Sequence, residues 1–449
     1  MRQALVIGSG MAGLFAARVL ADHYEQVTII ERDRLPDGPD IRPGVPQGRH
    51  VHGLLLRGLQ VLEQLFPGIS AELEHAGAQR IDWINDLEFH TVYGILPRFA
   101  SEYQVLTCSR PLLEGTARRR LAAHPHVRFM EAHEAIGLLP DQQKTRVVGV
   151  RIRQRNPEAH ALGKEEDLAA DLVVDASGRD SRVLEWLTAL GYQHPEEITV
   201  DGKIGYATRY FRRPEGLQAD WKVLALLNSW PHIRRGGIIL PIEDGRWVVT
   251  VAGIGDDHPP TNEAGFIAFI QGMATPLLAE AIQQAEPLSG ISGYQHMENR
   301  WRRFERLSRW PEGFLVVGDA VCQLNPYYGQ GMAVAALTAL TLDRVLKDAS
   351  GNQRDTARRF QQALSKVFAA PWLMATSEDQ RSPFITGGPS GGMGSRLTYG
   401  YIEGVKRLIA HDRDALRTFV AVTHLLEPST AMFRPGMVMG VLRQATRRS

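Results

Sequence analysis

Hydrophobic positions along this chain alternate between the periods of strand and helix. Ala4 to Ile7 is a short apolar run, Gly8 to Gly13 interrupts it with glycines, Leu14 to Ala21 is apolar at helical spacing, and Val27 to Ile30 is apolar again. The pattern predicts a buried strand, a tight turn, a helix and a second buried strand, one βαβ unit with a right-handed crossover. A Pro/Gly/Asp-rich stretch, 35–48, predicts a long loop. Helical spacing returns over 54–66 and around 112–121.

From 127 to 174 the pattern is that of strands, ending in the glycine turn of DLVVDASG. Between 190 and 300, GYATRYF and IILPI-EDG-RWVVTVAG alternate apolar and polar, with Asp244-Gly245 where a hairpin needs positive φ. That region predicts a mostly antiparallel sheet. Phe314 to Val317 predicts one more buried strand, followed by a loop and a buried helix over 332–342. The expected fold class is therefore α/β with an α+β insertion: a split Rossmann-type domain over 1–189 and 301–345, a sheet domain over 190–300 with strands interleaved around 80–110, and a helical region over 346–449. Within the last region GGPSGGMGS (387–395) predicts a surface loop. RLTYGYIEGVKRLIAH (396–411) is amphipathic, suited to a lid or a domain face, and leaves membrane contact open.

Composition narrows the function classes. The chain has 449 residues, too many for one simple core, and a formal net charge of +1, which gives no global field for nucleic acid or an anionic membrane. Cys108 and Cys322 are far apart and in no metal-ligand spacing, so a reduced cytoplasmic protein without a metal is expected. The first apolar run leads straight into a glycine turn, which predicts no secretory leader. No segment reaches the roughly 18 apolar residues of a spanning helix.

Gly8-Ser9-Gly10-Met11-Ala12-Gly13 reads G-x-G-x-x-G between a strand and a helix. Gly8 permits the turn, Gly10 lets a pyrophosphate approach the backbone, and Gly13 lets helix and strand lie close. The helix N-terminus offers free N–H groups to the phosphates. Glu31 ends the second strand, where a ribose hydroxyl acceptor belongs, and favours FAD or NAD over NADP. A second signal is Gly318-Asp319-Ala320, leading into Asn325-Pro326-Tyr327-Tyr328-Gly329-Gln330-Gly331-Met332. A strand-end aspartate suits sugar-alcohol hydroxyls, Gly329 and Gly331 let a planar ring lie against backbone, and a helix starting near Gly331 aims its dipole at a reduced flavin.

GSGMAG, DASGRDSR and GDAVCQLNPYYGQGMA together resemble the class A flavoprotein monooxygenases with the p-hydroxybenzoate hydroxylase fold, over roughly residues 1–345. RPGVPQGRHVHGLL (42–55) and THLLEPSTAMFRPGM (423–437) are most similar to the FAD-dependent epoxidases of polyether polyketide pathways and their bacterial relatives. The resemblance implies that Gly8, Gly10, Met11, Ala12 and Gly13 hold the pyrophosphate, Glu31 the adenosine ribose, and Arg32 the adenine side. It implies that the stretch containing Arg42 passes along the flavin, that Arg110 touches a phosphate, that Asp319 binds the ribityl chain or phosphate, and that Gly331 and Met332 lie beside the pyrimidine ring. One departure is Ser177, which stands where the family's A-D-G-x-x-S-x-V has its aspartate, while Asp175 comes two residues early. NAD(P)H is then the electron source either directly or through a separate flavin reductase.

The function implied is a monooxygenase that forms a flavin C4a-hydroperoxide from O₂ and epoxidises or hydroxylates an apolar small molecule, such as an alkene of a polyketide or terpenoid. Epoxidation needs no catalytic base, and no residue stands out as one. His50, Tyr327 and Tyr328 are the pocket candidates, with His52 nearby. Trp221, Trp230 and Trp247 suit either a pocket wall or sheet packing. The W-x-W-x-I-P signature of flavin halogenases is absent. An FAD-dependent reductase or dehydrogenase acting on an isoprenoid, and a non-catalytic FAD-binding protein, remain as alternatives.

Overall fold

The computed structural model describes residues 2–155, 163–229, 232–295, 297–349, 355–388 and 393–446, and side chains within these except for 393–398. Five parallel strands form the first sheet, in the order Phe314–Val316, Leu172–Asp175, Gln3–Ile7, Gln26–Ile30, Val127–Met130. Strands far apart in sequence are thus neighbours, and their near-continuous burial matches the apolar runs that encode them. Helix Met11–Leu20 packs on this sheet and against helix Gly331–Asp348.

A seven-stranded sheet holds Ile204–Arg212, Val223–Leu226, Arg235–Ile242, Arg246–Ile254 and Ser292–Tyr294, extended by Leu87–Thr91 and Gly94–Ile95. All its pairings are antiparallel except that of Leu87–Thr91 with Val223–Leu226. Asp244 and Gly245 both have positive φ, at 62° and 64°, as the hairpin requires. The fold is α/β with this second, mostly antiparallel sheet.

Period-two alternation gives the second sheet two different faces. Ala207, Phe211, Trp247, Val249 and Val251 face helices Glu263–Gln271 and Leu277–Gln283. Trp221 and Trp247 belong to this packed side, 6.0 Å apart, rather than to a pocket wall, and Trp230 lies outside the described residues. The intervening Tyr206, Thr208 and Tyr210 face the long loop before helix Leu56–Leu65, where Thr208 meets His50.

The C-terminal helices Thr356–Asp379, Met393–Ile409, Arg413–Thr423 and Pro435–Thr446 form a further layer. The glycine-rich stretch expected as a loop is divided: Thr386–Gly387 pairs with Val200 and Asp201, 389–392 lies outside the described residues, and a helix begins at Met393. Val405, Leu408 and Ile409 bury the apolar stripe of 396–411 with Ile84, Leu96 and Tyr103. Burial pushes His424 down to about 4, so it is neutral and its Nδ1 accepts from the Leu56 N–H at 3.1 Å. Among the described residues no helix is long and apolar enough to cross a membrane.

Candidate active site

The carboxyl ends of the parallel strands converge on one cavity of about 430 Å³. Its wall includes Gly8, Glu31, Ser177 and Asp319, each just beyond a different strand of that sheet, and Glu134 from the strand His133–Pro140. Such strand ends are where open parallel sheets bind ligands. Gly10, Met11, Ala12, Arg32, Arg42, Arg110, Gly329, Gly331 and Met332 also line it.

Gly8 has φ +96°, and a Cβ on Gly13 would stand 2.0 Å from the Gly8 carbonyl oxygen. The turn therefore excludes side chains at both positions. A Cβ on Gly10, by contrast, would meet nothing. Gly10 begins helix Met11–Leu20 without a side-chain cap, leaving first-turn N–H groups for a ligand.

Glu31 is fixed under this turn. Its carboxylate accepts from Ser9 N at 2.9 Å, Ser9 Oγ at 2.6 Å and Asp33 N at 3.0 Å, and lies 3.1 Å from Arg42. Burial opposes its ionisation, but Arg42 and these hydrogen bonds outweigh burial and hold Glu31 below the usual carboxylate range. Arg42 also reaches Asp33 at 3.0 Å and Glu114 at 2.9 Å. Its guanidinium is thus turned to Glu31, whereas the resemblance placed its stretch along the flavin; Pro43, Gly44 and Val45 of that stretch do line the cavity. Arg110 is gripped by Glu114 through Nε and Nη2, and its charge lowers the proton affinity of both His52 and Asp319.

Asp319 lines the cavity and is exposed there, while the protein around it keeps bulk water away. That surround raises its pKa, against the pull of Arg110, Arg300 and Arg179. Helix Gly331–Asp348 begins beside it, also without a side-chain cap. Gly329 has φ +65°, and neither it nor Gly331 has an atom where a Cβ would point.

Three pocket candidates stand behind this wall. His50 is 3% exposed, with Nδ1 2.9 Å from Thr208 Oγ1, and burial followed by the Arg49 charge pushes it down to about 4. Tyr327 donates to Asn228 Oδ1 at 2.6 Å, and Tyr328 to Asp379 Oδ1 at 2.6 Å. None of the three is part of the cavity wall, although Pro326 and Gly329 on either side of the tyrosines are.

Several wall residues were not singled out by the sequence: Tyr206 and Tyr294, and also Arg179 and Gln323, although these two lie within the DASGRDSR and GDAVCQLNPYYGQGMA stretches. Tyr206 and Tyr294 stack 5.5 Å apart, and Arg179 reaches the Tyr294 hydroxyl and Glu298. His52 is a wall residue too; its Nδ1 lies 3.0 Å from the His50 carbonyl, which requires the proton on that nitrogen. Burial and then Arg110 push its pKa down to about 3. The DASGRDSR turn is organised by Asp175, which accepts from Ser177 N at 2.9 Å, Ser177 Oγ at 2.5 Å and Ser181 Oγ at 2.5 Å. Burial raises the pKa of Asp175.

Open glycine surfaces at both ends, uncapped helix N-termini and the buried Arg42 Nη2, which has no partner, fit a long anionic dinucleotide. The FAD binding domain family model matches residues 1–358. The chain belongs to this FAD-binding family. Protein Rv3254 of Mycobacterium tuberculosis is 37% identical to it over 376 residues, 83% of this chain and 78% of the relative. Kynurenine 3-monooxygenase of Salinispora tropica is 25% identical over 360 residues, 76% of this chain and 72% of that enzyme. Among solved structures, the probable FAD-dependent monooxygenase PqsL of Pseudomonas aeruginosa superposes with a TM-score of 0.61 at 19% identity, covering 85% of this chain and 98% of its own. The myxobacterial chondrochloren halogenase CndH superposes at 0.63 with 17% identity, covering 95% and 97%. At such identities the superpositions show a shared fold.

Among the described residues no cluster of His, Cys, Asp or Glu could hold a metal ion. In this FAD-binding chain the Gly8–Gly13 turn and Glu31 suit the dinucleotide end, and Asp319 with Gly329–Met332 suits the ring end.

Proposed function

We propose that this chain is an FAD-dependent monooxygenase that transfers one oxygen atom of O₂ to an uncharged, apolar small molecule, with epoxidation of an alkene as its preferred reaction. Bound FAD, once reduced, would pass on two electrons and supply the O₂ chemistry. The observation that carries the reading is the wall around the ring end, where Val51, Tyr206, Leu324 and Pro326 join Gly329 and Met332. The nearby histidines are neutral: His50 is held at about 4 and His52 at about 3. With His50 committed to Thr208 and His52 to a backbone carbonyl, both act as orienting groups. That suits a substrate needing no deprotonation, as an alkene does. Kynurenine 3-monooxygenase among the relatives supports the oxygenase class, and the resemblance of the 42–55 stretch supports an epoxidase.

The electrons come from NAD(P)H, and the DASGRDSR turn favours a separate flavin reductase as the route. Ser177 directs its hydroxyl back to Asp175, so this turn offers the cavity no carboxylate at the position where the resemblance has one. The overall balance is substrate, O₂, two electrons and two protons giving oxygenated product and water.

The test uses FAD-loaded protein, photoreduced without O₂ and then mixed with ¹⁸O₂ and a panel of apolar alkenes. One ¹⁸O atom in an epoxide is the expected result. Alkene-dependent flavin turnover with no ¹⁸O in the product would replace this reading with the dehydrogenase or reductase one, and failure to take up FAD would remove both.

A further inference from the structure

Behind the cavity wall, four distant segments meet at one buried carboxylate. Asp379, the last residue of helix Thr356–Asp379, is 2% exposed. Its Oδ1 accepts from Tyr328 Oη at 2.6 Å and Asn325 Nδ2 at 3.3 Å. Its Oδ2 accepts from Asn299 Nδ2 at 2.6 Å and from the same Asn325 Nδ2 at 3.2 Å. Asn299 and Asn325 are fully buried, and Asn299 Oδ1 accepts the Asn325 backbone N–H at 2.8 Å. Asn325 Oδ1 in turn caps the turn through Tyr327 N at 3.0 Å. Gly202 closes the remaining side, where a Cβ would stand 2.8 Å from the Asp379 carboxyl carbon.

We propose that Asp379 is the positioning residue of the flavin-ring loop, holding residues 325–331 in the conformation whose Pro326, Gly329 and Gly331 face the cavity. The inference rests on the FAD reading of that cavity. Three neutral side chains donate to Asp379, and without its carboxylate their donors are left buried and unmet, so the turn has no reason to keep its shape. Of residues 325–331 only Pro326, Gly329 and Gly331 belong to the cavity wall, none with a polar side chain, hence loop shape is the quantity that Asp379 controls.

Charged groups around the site agree with a tuned carboxylate. Asp201, from the segment packed on Asp379, is itself paired with Lys203 at 2.6 Å. Glu378, next on the same helix, is paired with Lys406 of helix Met393–Ile409 at 2.6 Å. Burial, with a contribution from Asp201, raises Asp379 to about 6 against the pull of its three hydrogen-bond donors.

The experiment compares the whole wild-type chain with Asp379→Asn and Tyr328→Phe, by amide exchange of the FAD-free proteins and by titration with FAD. Asp379→Asn is expected to speed exchange across 326–331 at least tenfold, leave the strand Gln3–Ile7 unchanged, and weaken FAD binding about tenfold. Tyr328→Phe, which keeps the carboxylate, is expected to give about a threefold effect in the same residues. Once divided by the intrinsic base-catalysed rate, wild-type exchange in the loop should quicken as pH rises through about 6, where the buried Asp379 carboxyl loses its proton, and Asp379→Asn should lack that step. Loop exchange and FAD affinity within twofold of wild type in both variants would overturn the proposal, and if Asp379→Asn does not fold, Tyr328→Phe with the wild-type pH profile decides alone. A wild-type chain that takes up no FAD would instead overturn the reading beneath it.

Discussion

Between Gly8 and Glu31 the cavity wall is made largely by one βαβ unit. Gly13 packs on Gly8 five residues away, and Ser9 reaches Glu31 within the same unit. At the ring end the loop Asn325–Met332 takes its shape from Asn299, Asp379 and Asn228, which come from three other segments. The first end is set mostly by local sterics, with Arg42 and Ala176 reaching in from outside the unit, whereas the second exists only when the sheets and the C-terminal helices have docked. The same cavity therefore has one wall set by chain stereochemistry and another set by buried polar pairing.

The largest expected effect breaks the first wall. Gly13→Val places side-chain atoms against the Gly8 carbonyl, where even a Cβ comes to 2.0 Å. We expect a loss of about 3 kcal/mol or more in the FAD-free protein, read by denaturant unfolding. A loss below about 1 kcal/mol would show that the turn yields and is not the rigid end.

Protonation sharpens the contrast, since the carboxylates of the two ends shift in opposite directions. Asp379 is raised to about 6 from 3.8, so its folded form favours the proton. Its contribution to stability is full below the unfolded pKa and falls as pH rises through the folded one, by about 3 kcal/mol in all. Glu31 is lowered, so its contribution is present above its unfolded pKa and is lost on acidification. Unfolding curves from pH 3 to 8 for wild type, Asp379→Asn and Glu31→Gln separate the two. If subtraction of the Asp379→Asn curve leaves no fall between about pH 4 and 6, the proposed titration is wrong.

The smallest effect separates binding from folding at the first end. A Cβ on Gly10 meets nothing in the protein, so Gly10→Ala should change apoprotein stability by less than about 0.5 kcal/mol. It should weaken FAD by about tenfold in a fluorescence titration if, as proposed, the pyrophosphate packs on that surface. Equal damage to both quantities would show that Gly10 is structural like Gly13.

Legibility in the sequence follows the same division. The five parallel strands, the hairpin at Asp244-Gly245 and the helix after Gly331 were readable because apolar period, positive φ and helix length are local properties. His50, Tyr327 and Tyr328 were readable as neighbours of the ring loop, but not in their orientation. Their polar atoms turn to Thr208, Asn228 and Asp379, at separations of 158, 99 and 51 residues. Arg42 is a similar case: RPGV marks a stretch on the cavity, while the direction of its guanidinium depends on Asp33 and Glu114 converging with Glu31. The two tryptophans on the second sheet could not be assigned to a face until the helices Glu263–Gln271 and Leu277–Gln283 covered one.

By itself, then, the sequence determined a split Rossmann unit and a glycine turn open to a dinucleotide, because backbone sterics and apolar periodicity act over a few residues. Tertiary structure decided which polar side chains face the cavity and which brace it from behind. A buried hydroxyl, amide or carboxylate must find a partner, and the available partner is set by which distant segments the folded core brings beside it.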